Sequence, residues 1–190
     1  MIHELVEKNR SYRRFIEDKQ LEPEILTQLI GLARISPSAA NLQNLRYCPI
    51  SAVDDCAKIF PLLKWANYLR YWDGPAQGER PTAYIIILAP ANTTKFHHLD
   101  AGIAAQTILL GAVEKGLGGC MLASVDKIKV HDLLSLPVTM EVLLVIALGY
   151  PAETVIIEDV TDPDDIEYWR DEEGCHHVPK RLLKDLIITL

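Results

Sequence analysis

Along the chain, apolar residues recur at helical spacing in some stretches and run together without any period in others. Ile2, Leu5 and Val6 make a short helical stripe that stops at Asn9. Pro23 stands where the first turn of a helix tolerates it. Ile25, Leu26, Leu29, Ile30 and Ala33 then repeat at spacings of three and four up to Ile35, which predicts an amphipathic helix. Residues 36–43 are polar and turn-forming, and a strand is expected near 46–53. Residues 54–72 read as another helix, because Trp65, Tyr68, Leu69 and Trp72 would share one face before Asp73, Gly74 and Pro75 end it. A polar loop runs on to Pro81.

Two runs, AYIIILA at 83–89 and VLLVIAL at 142–148, are short, β-rich and without alternation. Strands covered on both faces have this pattern, so both are expected at the centre of the sheet. Between them, residues 99–116 form a predicted helix that is apolar nearly all round and rich in small residues, among them Ala101, Gly102, Ala104, Ala105, Gly111 and Ala112. Such a helix has no face for water and should lie between the sheet and another layer. GLGGCMLAS at 116–124 leads into a strand, 126–134 suggests a helix, and Gly149, Tyr150 and Pro151 close the second central strand. Residues 158–173 hold nine carboxylates against one Arg, which reads as a solvated surface loop. Beyond Pro179, Leu182, Leu183, Leu186, Ile187 and Ile188 suit a segment packed on its own core or on a partner.

A chain of 190 residues, 49% hydrophobic and 24% charged, is expected to fold as one domain over 1–190. Its formal charge of −7 argues against nucleic acid or anionic membrane as a partner, since both attract surplus Lys and Arg. The longest strongly apolar stretch, 101–113, falls short of the roughly 20 residues that span a membrane. The acidic, amphipathic start does not read as a signal peptide. Cys48, Cys56, Cys120 and Cys175 are widely spaced with no CxxC, as expected of reduced thiols in a cytoplasmic protein.

Against that acidic background, RSYRRF at 10–15 puts three guanidinium groups within five residues. Arg presents a planar fork that matches phosphate oxygens and Ser adds a neutral donor, although a cluster of surface salt bridges would look the same. A second basic pair, Lys180 and Arg181, follows Pro179 at the other end of the chain. The loop PSAANLQ at 37–43 offers the short hydroxyl and amide groups that a ribityl chain and a flavin ring edge need, or else is an ordinary turn. No GxSxG, HExxH or P-loop is present, and GLGG lacks the dinucleotide-binding pattern.

RSYRRF, SPSAANLQ, DAGIAAQTILLGAVEKGLGG, IALGYPAE and VPKR occur in the order that resembles the FMN-dependent nitroreductase family, especially its short single-domain members. The resemblance is weakest over 54–81 and 152–175. It implies an α+β fold with a mainly antiparallel central sheet flanked by helices on both faces, in an interlocked homodimer with flavin sites at the interface. It implies that Arg10, Ser11 and Arg13 reach the phosphate and the pyrimidine end of FMN, and that Ser38, Asn41 and Gln43 are supplied from the other subunit. Leu122, Ala123 and Ser124 match the stretch lying against the flavin ring, and Lys180 and Arg181 the C-terminal phosphate pair. Family members often carry a basic residue where this chain has Asn9, and an acidic residue and Gly where it has Ala123 and Ser124. The activity implied is hydride transfer from NADH or NADPH through the flavin to a nitroaromatic, quinone or similar acceptor, with no catalytic side chain of its own. Within the same resemblance, a dehalogenase, a flavin-consuming enzyme or a non-catalytic redox sensor stays open.

Other constellations carry less. His97 with His98, and Cys175 with His176 and His177, lack zinc spacing, and neighbours in an extended segment point to opposite faces, so no metal is expected. Cys120 has no basic neighbour in sequence and reads as a buried, inert thiol. Trp65, Tyr68 and Trp72 read as the buried face of a helix, with a stacking wall for an aromatic acceptor as the alternative.

Overall fold

The computed structural model describes residues 1–91 and 96–189. In chain order the elements are α1 (Ile2–Lys8), α2 (Pro23–Arg34), β1 (Arg46–Ile50), α3 (Val53–Ile59), β2 (Ala83–Pro90), α4 (His97–Glu114), β3 (Gly118–Leu122), α5 (Lys127–Leu133), β4 (Met140–Gly149), β5 (Val155–Val160), β6 (Trp169–Arg170), β7 (His176–Arg181) and α6 (Leu183–Leu186). β1, β2, β4 and β3 lie side by side in that order, every pair antiparallel.

The two apolar runs are β2 and β4, adjacent at the sheet's centre as their lack of alternation requires. Ala83, Ile85 and Ile87 pack toward α2 and α4, whereas Tyr84, Ile86 and Leu88 pack with Cys56 of α3 and Val130 of α5. Both faces are therefore covered, and the fold is α+β. At one point β4 inserts an extra residue, since Ile87 pairs with Leu144 but Leu88 with Val142.

α4 begins at His97, so His97 and His98 open a helix rather than lying extended. Its small residues let α2 approach: a Cβ added at Gly111 would come within 2.3 Å of Leu32 Cδ1. Part of the apolar surface of α4 is left uncovered by the described residues, Leu99 and Ile103 being 64% and 43% exposed. The apolar tail does not pack on its own core either. Leu183, Leu186, Ile187 and Ile188 are all exposed.

Two expectations need correction. The helix beginning near 54 ends at Ile59, and after a 3-10 turn at Phe60–Leu62 the chain continues irregularly, with turns in which Leu69 N–H donates to Ala66 O and Trp72 N–H to Leu69 O. Pro61 has no N–H to continue the ladder and its ring would crowd the carbonyl four residues back. The freed backbone pairs elsewhere: Leu63 bridges Val125, and Lys64 N–H donates to Ser124 O at 2.9 Å. The acidic stretch 158–173 is likewise not all loop. Its start belongs to β5, which pairs parallel with β7, and its end contains β6, antiparallel to β7.

His177 holds this small sheet together. Its Nε2 lies 3.1 Å from Asp171 Oδ2, its Nδ1 bonds Glu158, and its ring stacks on Trp169 at 4.0 Å. Asp171, then Glu158, stabilise the imidazolium and hold its pKa above the ordinary histidine value. A raised folded-state pKa means the contribution is complete below the unfolded value of about 6.5 and disappears as pH rises through the folded one. In calorimetry, the Tm of the wild type is expected to fall across that alkaline window more than the Tm of His177→Gln. Parallel profiles would remove the ion pair from the account.

Candidate active site

The segment after α1 lies along the open edge of β3. Ser11 bridges Gly119 in parallel fashion, Tyr12 N–H donates to Gly119 O at 3.0 Å, and Phe15 bridges Pro151. In an extended segment alternate residues share a side. Phe15 is fully buried, its ring occupying the space a side chain at Gly149 would need, and Arg13 is carried to the same side. Arg13 is 8% exposed in consequence, a buried cation at the sheet edge.

Three contacts define how Arg13 sits. Its Nη1 donates to Ser11 O at 3.2 Å and to His176 Nε2 at 3.0 Å, and its guanidinium lies 4.8 Å from the Tyr168 ring centroid. Because Arg is only a donor, His176 Nε2 must be an acceptor and its proton sits on Nδ1. Burial first, then the charges of Arg13 and Arg170, push the His176 pKa down to about 4, so the ring is neutral at pH 7. No carboxylate pairs with the Arg13 side chain among the described residues, and its buried Nε has no hydrogen-bond partner. A buried cation in that condition is costly unless an anion or an electron-rich group completes it.

The nearest carboxylate is committed elsewhere. Glu153, whose side chain is 1% exposed, accepts the backbone N–H of Arg13 and, at 3.1 Å, that of Arg14, while its other oxygen takes Arg170 Nη2 at 2.9 Å. One carboxylate thus ties the N-terminal connector to β6. Burial lowers the Arg170 pKa, with Arg14 adding to the effect and Glu153 opposing it.

Arg13 opens on a cavity of about 570 Å³, within the range of about 300–1,000 Å³ usual for small-molecule sites. One wall is the end of β3 with the two residues beyond it, Cys120 to Ser124, and Tyr168 lines it as well. The other wall is the irregular, turn-containing 63–73 segment, including Trp65, Leu69 and Trp72. These aromatic residues are therefore not a helix face. Trp65 is buried and Ala66 adopts a positive φ of 34°. At Gly74, φ 126°, a Cβ would lie 2.6 Å from the Trp65 ring, so glycine is what allows the chain to close on it. Tyr68 packs edge-on against Tyr168, 4.9 Å between centroids.

Of the residues singled out in the sequence, Arg13, Leu122, Ala123 and Ser124 line this cavity, and Ser11, itself exposed, sits beside it with its carbonyl accepting from Arg13 Nη1. Arg10 turns back to α1, donating to Val6 O at 2.7 Å. Ser38 and Gln43 line a different cavity of about 510 Å³ beside α2 and α4, which shares no residue with the first. Asn41 lies in the same loop, where Ala40, Asn41 and Gln43 all have positive φ and Asp100 Oδ1 accepts Ala39 N–H at 2.8 Å. Lys180 and Arg181 end β7, exposed, with Arg181 Nε donating to Pro163 O at 2.6 Å. Within one chain the two basic ends do not meet. Asn9 caps α1 through a backbone hydrogen bond to Leu5 O.

Glu153, Tyr168 and Arg170 were not singled out in the sequence, and His176 was weighed there only as a metal ligand. The available signal was Arg170 itself, a lone cation among nine carboxylates, and the alternation of β7. That alternation sends His176 inward to Arg13 and His177 outward to Asp171 and Glu158. Cys120 does adjoin Arg13 in space, yet burial dominates and keeps its thiol pKa high.

A family model described as the nitroreductase family matches residues 6–150. The chain belongs to the nitroreductase family. As a nitroreductase-family protein it is an oxidoreductase with this family's α+β fold. A relative from Methanothermobacter thermautotrophicus, bearing the provisional name NADH dehydrogenase/NAD(P)H nitroreductase, is 27% identical over 175 residues, 87% of this chain and 86% of its own. The solved nitroreductase family protein of Streptococcus pneumoniae superposes with a TM-score of 0.70 at 18% identity, covering 100% of both chains. An FMN-dependent nitroreductase of Clostridium difficile gives 0.66 at 23% identity, covering 80% of this chain and 88% of that one. The nitroreductase match stops at residue 150, so Glu153, Tyr168, Arg170 and His176 belong to the part of the site outside it. Among the described residues no helix is long and apolar enough to cross a membrane.

Proposed function

We propose that this chain is an FMN-dependent oxidoreductase that takes hydride from NADH or NADPH and delivers reducing equivalents to a small electron-poor acceptor such as a nitroaromatic or quinone. The observation that carries the proposal is Arg13, a buried guanidinium with an orphaned Nε and no carboxylate partner, opening on a cavity of flavin-compatible size. The donor set fits the cofactor. Arg13 supplies a cation beside the 122–124 segment, Trp65, Trp72 and Tyr168 supply aromatic surface, and Ser11 offers a hydroxyl at the neighbouring sheet edge.

When bound, FMN supplies the two-electron hydride chemistry, and the protein's part is position and field. Arg13 is fixed before reaction by Ser11, His176 and the Glu153 clamp on its backbone, so it meets growing negative charge without reorganising. His176, being neutral, can accept the Arg13 hydrogen bond, which an imidazolium could not. Leu69, Trp72 and Tyr168 line the same cavity and would offer apolar surface to a planar ring.

The working unit in this proposal is a homodimer, with Ser38, Asn41 and Gln43 reaching a flavin held mainly by the other subunit, and Arg10, Lys180 and Arg181 around its phosphate. In support, Leu99 and Ile103 of α4 and the tail beyond Leu182 are exposed in a single chain, and Ser38 and Gln43 line a cavity separate from the one at Arg13. Anaerobic titration of the FMN-loaded protein tests the reading. The yellow absorbance should bleach with NADH or NADPH and return on adding a nitroaromatic or quinone. Protein that takes up no FMN at micromolar concentration would overturn it.

A further inference from the structure

On the far side of the 69–72 wall lies a second depression of about 510 Å³, lined by Arg14, Arg70, Arg170, Tyr71, Trp72 and Trp169 among others. It shares Leu69, Arg70 and Trp72 with the Arg13 cavity, so the two are separated by one thin segment. Three guanidinium groups at one cleft are unexpected on a chain of net charge −7. Arg14 Nε lies 3.2 Å from Glu79 and Arg170 is held by Glu153, but Arg70 is exposed and has no ion pair or hydrogen bond among the described residues. The carboxylate in the lining, Asp171, is already engaged by His177 and by Cys175 N–H.

Aromatic surface accompanies the charge. Tyr71 is fully exposed, and Trp169, though stacked on His177, remains 46% exposed. Trp72 lies under the Arg170 guanidinium at 4.7 Å. A neutral nitroaromatic or quinone needs no guanidinium, and a bare inorganic anion gains nothing from an indole. A ligand that is both planar and anionic uses both, by stacking and by charge-assisted hydrogen bonds.

We propose that this cleft binds the adenosine phosphate half of the nicotinamide dinucleotide, with the reduced nicotinamide passing the 69–72 wall into the Arg13 cavity. The proposal rests on the nicotinamide-donor reading above, and adds where the non-reacting half of the donor is recognised. Binding energy collected there is remote from the reacting atoms and serves to position them.

The test compares two donors on FMN-loaded protein: NADH, and reduced nicotinamide mononucleotide, which lacks the adenosine phosphate. In Arg70→Glu the ratio of kcat/KM for NADH to that for the mononucleotide should fall about tenfold, the scale of one lost charge-assisted contact. Tyr71→Ala should lower the same ratio by a smaller factor, and ADP should inhibit the wild type competitively against NADH and Arg70→Glu more weakly. Damage to the flavin site slows both donors alike and leaves the ratio unchanged. An unchanged ratio in both variants overturns the assignment. Wild-type FMN that dithionite bleaches but neither nicotinamide does is a different result, which removes the donor reading itself.

Discussion

Arg13→Ala is expected to weaken FMN binding by at least about tenfold, the scale of one charge-assisted contact in a desolvated site. The flavin's two-electron reduction potential should fall by about 30 mV for each tenfold by which the reduced, more negative flavin loses more affinity than the oxidised one. The reasoning turns on the side chain's missing counter-ion. An ordinary buried ion pair loses several kcal/mol when one partner is removed, since the other charge stays behind unpaired. Here the side chain leaves no orphaned carboxylate, and what remains are Ser11 O, His176 Nε2 and the Tyr168 ring. Flavin-free protein should therefore unfold at nearly the same temperature in variant and wild type, and the FMN-dependent rise in Tm should shrink. Titration of apoprotein with FMN and a dye-linked potential measurement read both effects. Unchanged affinity together with unchanged potential would end the role given to Arg13.

Glu153→Ala carries the larger cost to folding. It strands Arg170 in a half-buried position and leaves the Arg13 and Arg14 backbone N–H groups without their acceptor. Removing one partner of a buried, hydrogen-bonded pair costs about 3 kcal/mol or more, near 10 °C in Tm for a domain of this size. Glu153→Gln retains one carbonyl oxygen for the connector while losing the charge opposite Arg170, and should fall in between. Calorimetry of the three proteins without flavin makes the comparison. A Tm for Glu153→Ala within a degree or two of wild type would show that Arg170 and the connector are held by other contacts.

These two positions also mark how far sequence reading carries. Arg13 was legible because three arginines in an acidic chain stand out locally. Glu153 was not, because its importance comes from groups 140 and 139 residues earlier in the chain and 17 later. The expected helix through Trp65 and Trp72 shows the complementary failure. Residues spaced by three and four satisfied a helical template, but Pro61 interrupts the ladder and the 124–126 backbone pairs with Leu62 to Lys64 instead. The acidic stretch misled in the same way, since its carboxylates suggested solvent while β5 and β6 were being organised by β7.

The chain's local chemistry alone determined the doubly covered central strands, the helices α2 and α4, and the cluster of cations before Phe15. Period, side-chain volume and charge act over a few residues, so a linear reading captures them. Tertiary structure decided the rest: which residues surround Arg13, where the aromatic wall stands, and that β7 presents one histidine to the cavity and the next to a pair of carboxylates. Those outcomes depend on contacts between segments distant in the chain, and the free energy of a buried charge is set by what the fold brings beside it rather than by its neighbours in sequence.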